Sequence, residues 1–176
     1  MKKAKPLLGK CVTLALAGAL GAAPALSVKA AETAALPLSG DPAVSAVQQQ
    51  VYGVVHRHET WLNAGDASGI VDLFASENSV AEWDDKTAYA MREQKIAGYK
   101  RLFKIATFKT AFAYDAINVY GDTAVVRTHH HKGATVVENG RQVPDYNREV
   151  FVLHRIDGAW KIVLYTFNTD PVQGEG

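Results

Sequence analysis

The sequence predicts an α+β domain, with three helices first and long antiparallel strands after them, the helices gathered on one face of the sheet. Three observations carry this. Val44, Val47, Val51, Val54/Val55, His58 and Trp61/Leu62 recur at steps of three and four, which is the period of an amphipathic helix. From residue 112 onward the chain alternates apolar and polar residues in long runs, as half-buried strands do. The turns "GD", "ENGR" and "DGA" separate those runs, and Gly-containing turns of this kind join antiparallel neighbours.

The first helix begins at Asp41-Pro42, an N-cap followed by proline in the first turn, where its missing N–H costs nothing. It ends at Asn63-Ala64-Gly65. Asp66 caps a short second helix carrying Ile70, Val71, Leu73 and Phe74. "SVAEWD" reads as a short strand, and "REQKIAGYKRLFKIA" as a third helix with Ile96, Tyr99 or Lys100, and Phe103 along one face. Four long strands follow: "FAYDAINVY", "TAVVRTHHHKGATVV", "DYNREVFVLHRI" and "WKIVLYTFN". A long first helix lying across a strongly curved sheet would enclose a conical chamber.

Residues 1–30 stand apart from this domain. Lys2, Lys3, Lys5 and Lys10 precede the thirteen-residue apolar run "CVTLALAGALGAA", which is too short to span a membrane. Val28 and Ala30 suit a cut before Ala31, so the segment reads as a secretory signal, with a secreted or periplasmic product and no membrane attachment after cleavage. Lys10 directly before Cys11 argues against a lipid anchor. Residues 31–40 read as a loose leader, 41–172 as the domain and 173–176 as a tail. The leader holds five of the 19 basic residues and none of the 18 acidic ones. The remainder, 14 basic against 18 acidic, has a net charge of −4, which offers no electrostatic case for nucleic acid. No cysteine remains after cleavage, so stability must come from packing.

The stretch "NAGDASGIVDLFASENSVAEWDD…MREQKIAGYKRLF", with the closing "HRIDGAWKI", resembles the nuclear transport factor 2-like (NTF2-like) superfamily, in particular its ketosteroid isomerase and SnoaL-like branches. The resemblance implies a cone-shaped, cystatin-like fold of three N-terminal helices on a strongly curved antiparallel sheet. It also implies an apolar chamber in which a cofactor-free acid/base catalyst of isomerase, cyclase or dehydratase type could work. In the isomerase register, Glu82 falls where that enzyme has its proton-shuttling aspartate and His58 where it has an oxyanion-hole tyrosine. Glu149 falls near the second oxyanion-hole group, a protonated aspartate. All three positions are chemically altered.

Read by themselves, these residues leave alternatives open. Glu82 shares a strand face with Val80. If that face is inward, burial would raise its proton affinity and make it a base; if outward, it pairs with Lys or Arg in solvent. His58 on an apolar helix stripe either donates to a developing oxyanion or is a satisfied core histidine. Glu149 shares a face with Phe151 and Leu153, which suits a chamber wall; a buried pair with His58 or Arg127 is the other reading. In "THHHKG", His129 and His131 share one face and either line the chamber or lie on the sheet surface with His130; no metal site is expected from their spacing. Trp83, Tyr89, His129, His131, Phe151 and Asn168 are the expected ligand-binding set, for a small apolar molecule; Asn168 serves equally as a cap at the strand end. A non-catalytic ligand-binding or dimeric interaction domain is the alternative to an enzyme. Since the last strand is apolar on both faces, a homodimer through the sheet is expected.

Overall fold

The structure, a computed structural model, describes residues 35–83, 87–131 and 133–169. The expected signal segment, the first part of the leader, residues 84–86 and 132, and the expected tail lie outside the described residues.

Helix α1 (Pro42–Ala64) starts where Asp41 accepts the N–H groups of Ala43 and Val44 at 2.8 and 3.2 Å. It ends at Gly65, whose φ of 68° is left-handed and whose N–H returns to the last turn, the common glycine stop. Val51, Val54, Val55, His58 and Leu62 form its buried face; Val44, expected at the head of the stripe, is exposed. Asp66 caps α2 (Ala67–Val71) by accepting the Gly69 N–H at 2.9 Å. A Cβ at Gly69 would come within 2.8 Å of the Trp61 ring, so the close crossing of α1 and α2 requires glycine there. Helix α3 (Arg92–Ile105) follows strands β1 (Val80–Glu82) and β2 (Ala88–Tyr89).

The remaining strands are β3 (Ala106–Lys109), β4 (Phe112–Tyr120), β5 (Thr123–His130), β6 (Thr135–Glu138), β7 (Arg141–Pro144), β8 (Asn147–Ile156) and β9 (Ala159–Thr169). Six form one sheet in the order β2-β1-β9-β8-β5-β4, and β3-β6-β7 form a second. Helices pack on one face of this curved, largely antiparallel sheet, as expected; only β1 runs parallel to its neighbour β9. Bulges at Asp115 in β4 and at Val163 in β9, opposite Val152 and Leu153, supply the local bend.

One expected strand is two. "TAVVRTHHHKGATVV" breaks after His130, where the His131 N–H donates to Ala111 O and Ala134 N–H turns back to His131 O. Gly133, at φ 93°, makes that corner. Beyond it, β6 and the β7 strand that the sequence had not distinguished fold back on β3 around the Asn139-Gly140 turn. The short second sheet becomes a wall of the cone.

Lys95 ties this end of the molecule together. Its ammonium, 2% exposed, donates to Ser79 O at 2.8 Å, to Ser79 Oγ at 3.1 Å and to Ala90 O. Burial pushes its pKa down. Three donors meeting three acceptors close the base of the β1–β2 hairpin. Lys95→Met leaves those acceptors unpaired and should lower stability in urea unfolding by about 2 kcal/mol; an unchanged midpoint would show that the strut contributes nothing.

Candidate functional site

Inside the cone lies a chamber of about 480 Å³ whose walls include Trp83, Tyr89, Tyr99, Phe108, Tyr146 and Phe167. Its polar end is built from three strands and a loop. Thr128 and His130, two residues apart, share the inner face of β5. Glu149 of β8 stands directly opposite Thr128 in register. Asp145 follows β7 and is held by its own N–H on Ala134 O at 3.0 Å. His130 Nδ1 lies 2.9 Å from Asp145 Oδ1, and Nε2 meets Glu149 Oε1. The second Glu149 oxygen accepts the Thr128 hydroxyl at 2.6 Å. All of these groups except the Asp145 side chain are at most 2% exposed, and that one is 5% exposed.

Burial works against the imidazolium, but the hydrogen bonds and charge of Asp145 and Glu149 outweigh it and carry the His130 pKa up to about 9. His130 is therefore a cation at neutral pH, clamped between carboxylates. Phe112 stacks on its ring, 5.3 Å away and tilted by 20°.

His58 sits beneath this cluster with no exposure at all. Tyr165, Phe151 and Phe112 surround it at ring separations of 4.8, 5.1 and 6.3 Å. Burial, and then the charge on His130, push its pKa down to about 3, so it is neutral. Nε2 is 3.2 Å from the Tyr99 hydroxyl, and Nδ1 has no hydrogen-bond partner among the described residues. Burial, and then the charge of Glu149, push the Tyr99 phenol well above its ordinary range. It stays protonated.

Several expectations from the sequence change here. Glu82 is exposed and outside the chamber. Ala81, with no exposure, takes the inner face of β1, so Val80 and Glu82 point outward together. His58 lies in the core rather than on the chamber lining. Glu149 points inward, but its partner is His130 and not His58 or Arg127; Arg127 is on the outer face. With both its oxygens accepting hydrogen bonds, Glu149 does not present the free O–H that an oxyanion-hole acid would need. His129 is on the outer face, 2.9 Å from Asp115, and His131 falls in the corner after β5, away from the lining. Phe151 is core beneath His58. Asn168 is exposed and donates to Thr169 O at 3.3 Å. Trp83 and Tyr89 do line the chamber.

The residues that sequence reasoning missed are His130, Asp145, Thr128 and Tyr99 in this role. A signal for two of them was present. With Arg127 taken as the solvent-facing member of a half-buried strand, Ala124, Val126, Thr128 and His130 fall on the inner face. Among the described residues no cluster of three His, Cys, Asp or Glu side chains forms a metal site. A second cleft of about 410 Å³ lies against α2 and the β8–β9 turn. Its cations are committed: Arg92 to Asp72 at 2.8 Å, Lys161 to Asp72 O at 2.9 Å, and Lys95 as described.

Solved structures with this architecture include a ketosteroid isomerase-like protein from Erwinia carotovora atroseptica, with a TM-score of 0.64 at 17% identity over 69% of this chain and 95% of that one. An NTF2-like superfamily protein from Salmonella enterica superposes with a TM-score of 0.62 at 24% identity, covering 75% and 98% of the two chains. The chain has the NTF2-like fold. An NTF2-like protein from Cytophaga hutchinsonii matches the NTF2-like core again, with a TM-score of 0.57 at 14% identity over 69% and 97% of the chains. No family model matches the sequence, and no curated protein does. At 14–24% identity these likenesses are of fold.

The two buried histidines make stability depend on pH in opposite directions. His130, raised from 6.5 to about 9, contributes fully below pH 6.5, and its contribution disappears as pH rises through about 9. His58, lowered from 6.5 to about 3, favours the fold above pH 6.5 and withdraws that support as pH falls. Stability from urea unfolding should therefore peak near pH 6.5 and decline on the alkaline side by on the order of 3 kcal/mol. His130→Gln should flatten the alkaline limb whatever its absolute stability; an unchanged limb would assign the slope to another group.

Proposed function

We propose that the protein binds a small, largely apolar molecule in this chamber and that proton transfer with Glu149 as acceptor is the chemistry the site performs. The observation that supports this is the placement of a buried, ionised His130–Glu149 pair at one end of an aromatic-walled cavity. Charge is expensive to bury, and an ordinary core would be as stable without it. A carboxylate has about four lone-pair directions, and His130 and Thr128 occupy two of Glu149's. The others can take a hydrogen bond or an acidic proton from a ligand.

Tyr99 gives the chamber a second polar group. Neutral His58 carries one N–H. On Nδ1 that hydrogen would be buried without an acceptor, so Nε2 carries it and donates to the Tyr99 oxygen. The Tyr99 hydrogen is then available to a ligand oxygen. A compact carbonyl compound with an acidic C–H beside the carbonyl suits a carboxylate acceptor and a phenol donor on one chamber wall, which keeps the expected substrate class while replacing Glu82 by Glu149 and His58 by Tyr99. Export through the basic and apolar N-terminal segment is part of the same proposal. A ligand-binding domain without turnover is the second reading, favoured by the two hydrogen bonds that already engage Glu149.

Trp83 lines the cavity, whereas Trp61 and Trp160 do not, so its fluorescence reports occupancy. Titration with small aromatic ketones should give a saturable change that Trp83→Phe removes, and Tyr99→Phe should weaken binding roughly tenfold. Deuterium exchange at the carbon beside the carbonyl, followed by NMR, tests the chemistry. Glu149→Gln should stop exchange and leave binding within a few-fold. Binding without exchange in the unaltered protein would leave only the second reading, and no saturable signal would remove both.

A further inference from the structure

The mouth of the chamber holds a cation that the proton transfer does not use. Arg101 lines the cavity and is exposed, so it stands where the chamber opens to solvent. Its Nη2 donates to the Tyr89 hydroxyl at 3.1 Å, and the guanidinium lies over the Tyr89 ring, 5.8 Å from its centre. Tyr89 is itself tightly seated. The Trp83 ring meets it edge-on at 5.0 Å, and a Cβ at Gly98 would come within 3.1 Å of it. An arginine side chain carries a fork of several N–H donors, and Tyr89 engages one of its terminal nitrogens. Arg101 has no ion-pair partner among the described residues. The guanidinium is thus anchored on one side and offers donors on the other, in the planar pattern that a carboxylate meets with a parallel pair of bonds.

The surrounding charges favour an anion at the mouth and oppose one deeper in. Lys100 and Lys104, both exposed, flank Arg101 on α3. Glu138 also lines the chamber, but Arg141 stands opposite it in the β6–β7 register and offsets its charge. Inside, the His130 imidazolium is already held by Asp145 and Glu149, so an anionic group pushed that far would face carboxylates across a cation they share. We propose that the chamber takes an amphiphilic carboxylate, with its apolar body among the aromatic walls and its carboxylate at the mouth on the Arg101 fork. The proposal rests on the reading that the chamber holds a small carbonyl compound, and it names the class: a keto acid rather than a neutral ketone. Lys100 and Lys104 supply field rather than contact. Without that local excess, a chain with a net charge of −4 beyond residue 30 would repel such a ligand.

Isothermal titration calorimetry with acetophenone and 4-acetylbenzoate, which differ only by the carboxylate, tests this. The unaltered protein should bind 4-acetylbenzoate roughly tenfold more tightly than acetophenone at low salt, and the ratio should shrink as salt rises. Arg101→Met should bring the ratio down to about one. A ratio cancels any general loosening of Tyr89, and circular dichroism checks that the variant is folded. Lys100→Gln and Lys104→Gln should each leave the ratio within about threefold of its unaltered value. Acetophenone binding with no gain from the carboxylate would overturn this inference and leave the chamber reading standing. So would a preference that survives Arg101→Met, or one that falls as far in the lysine variants. Failure of both compounds to bind would remove it together with the reading on which it rests.

Discussion

A charged imidazole cannot be buried alone, and that constraint organises the interior of this protein. His130 needs carboxylates on both ring nitrogens to remain ionised inside the cone. Glu149 comes from the neighbouring strand of the main sheet, and Asp145 comes from the end of the second sheet. The cluster therefore binds the small β3-β6-β7 sheet to the large one and fixes the distance between two chamber walls. Removing His130 leaves two buried carboxylates without their cation, whereas removing one carboxylate leaves His130 still paired with the other.

The chamber follows from that arrangement. Apolar strands would close against α1 if every inward position carried a large hydrocarbon side chain. Here Thr128, His130, Glu149 and Asp145 occupy the inner surface together, and a polar cluster cannot be covered by aliphatic packing without loss. Aromatic side chains from α3, the β1–β2 hairpin and the second sheet stand off from it and leave the space open. His58 lies one layer deeper, kept neutral by burial and by the neighbouring imidazolium. The two histidines thus have opposite charge states within one stack of rings, because one has carboxylate partners and the other a phenol.

The helical half was legible from the chain. Asp41-Pro42, Gly65 and Asp66 are local signals, each acting through a bond to a backbone group within a few residues, and the structure has helices at those places. The α+β layering was legible for the same reason, since helix lengths, turn chemistry and strand alternation are local; the NTF2-like cone came from the resemblance of those stretches to a known family. The site was not. A strand of three residues has no periodicity to read, so Glu82 could be assigned to either face, and the assignment to the inner one does not survive. The break at His131–Ala134 depends on where Ala111 offers a carbonyl. The preference for His129 and His131 over His130 comes from the wrong choice of face on β5, not from the missed break, since both His129 and His130 lie before it.

What the amino-acid sequence determined by itself is the order of helices and strands and the residues able to start or stop them, because capping and turn chemistry act over a few residues. What the tertiary structure decided is which ionisable side chains share a dry space. His130 is paired with groups 15 and 19 positions further along, and His58 with one 41 positions away. Charge state in such a space is set by neighbours across strands, and proximity of that kind exists only once the sheets have curved and closed.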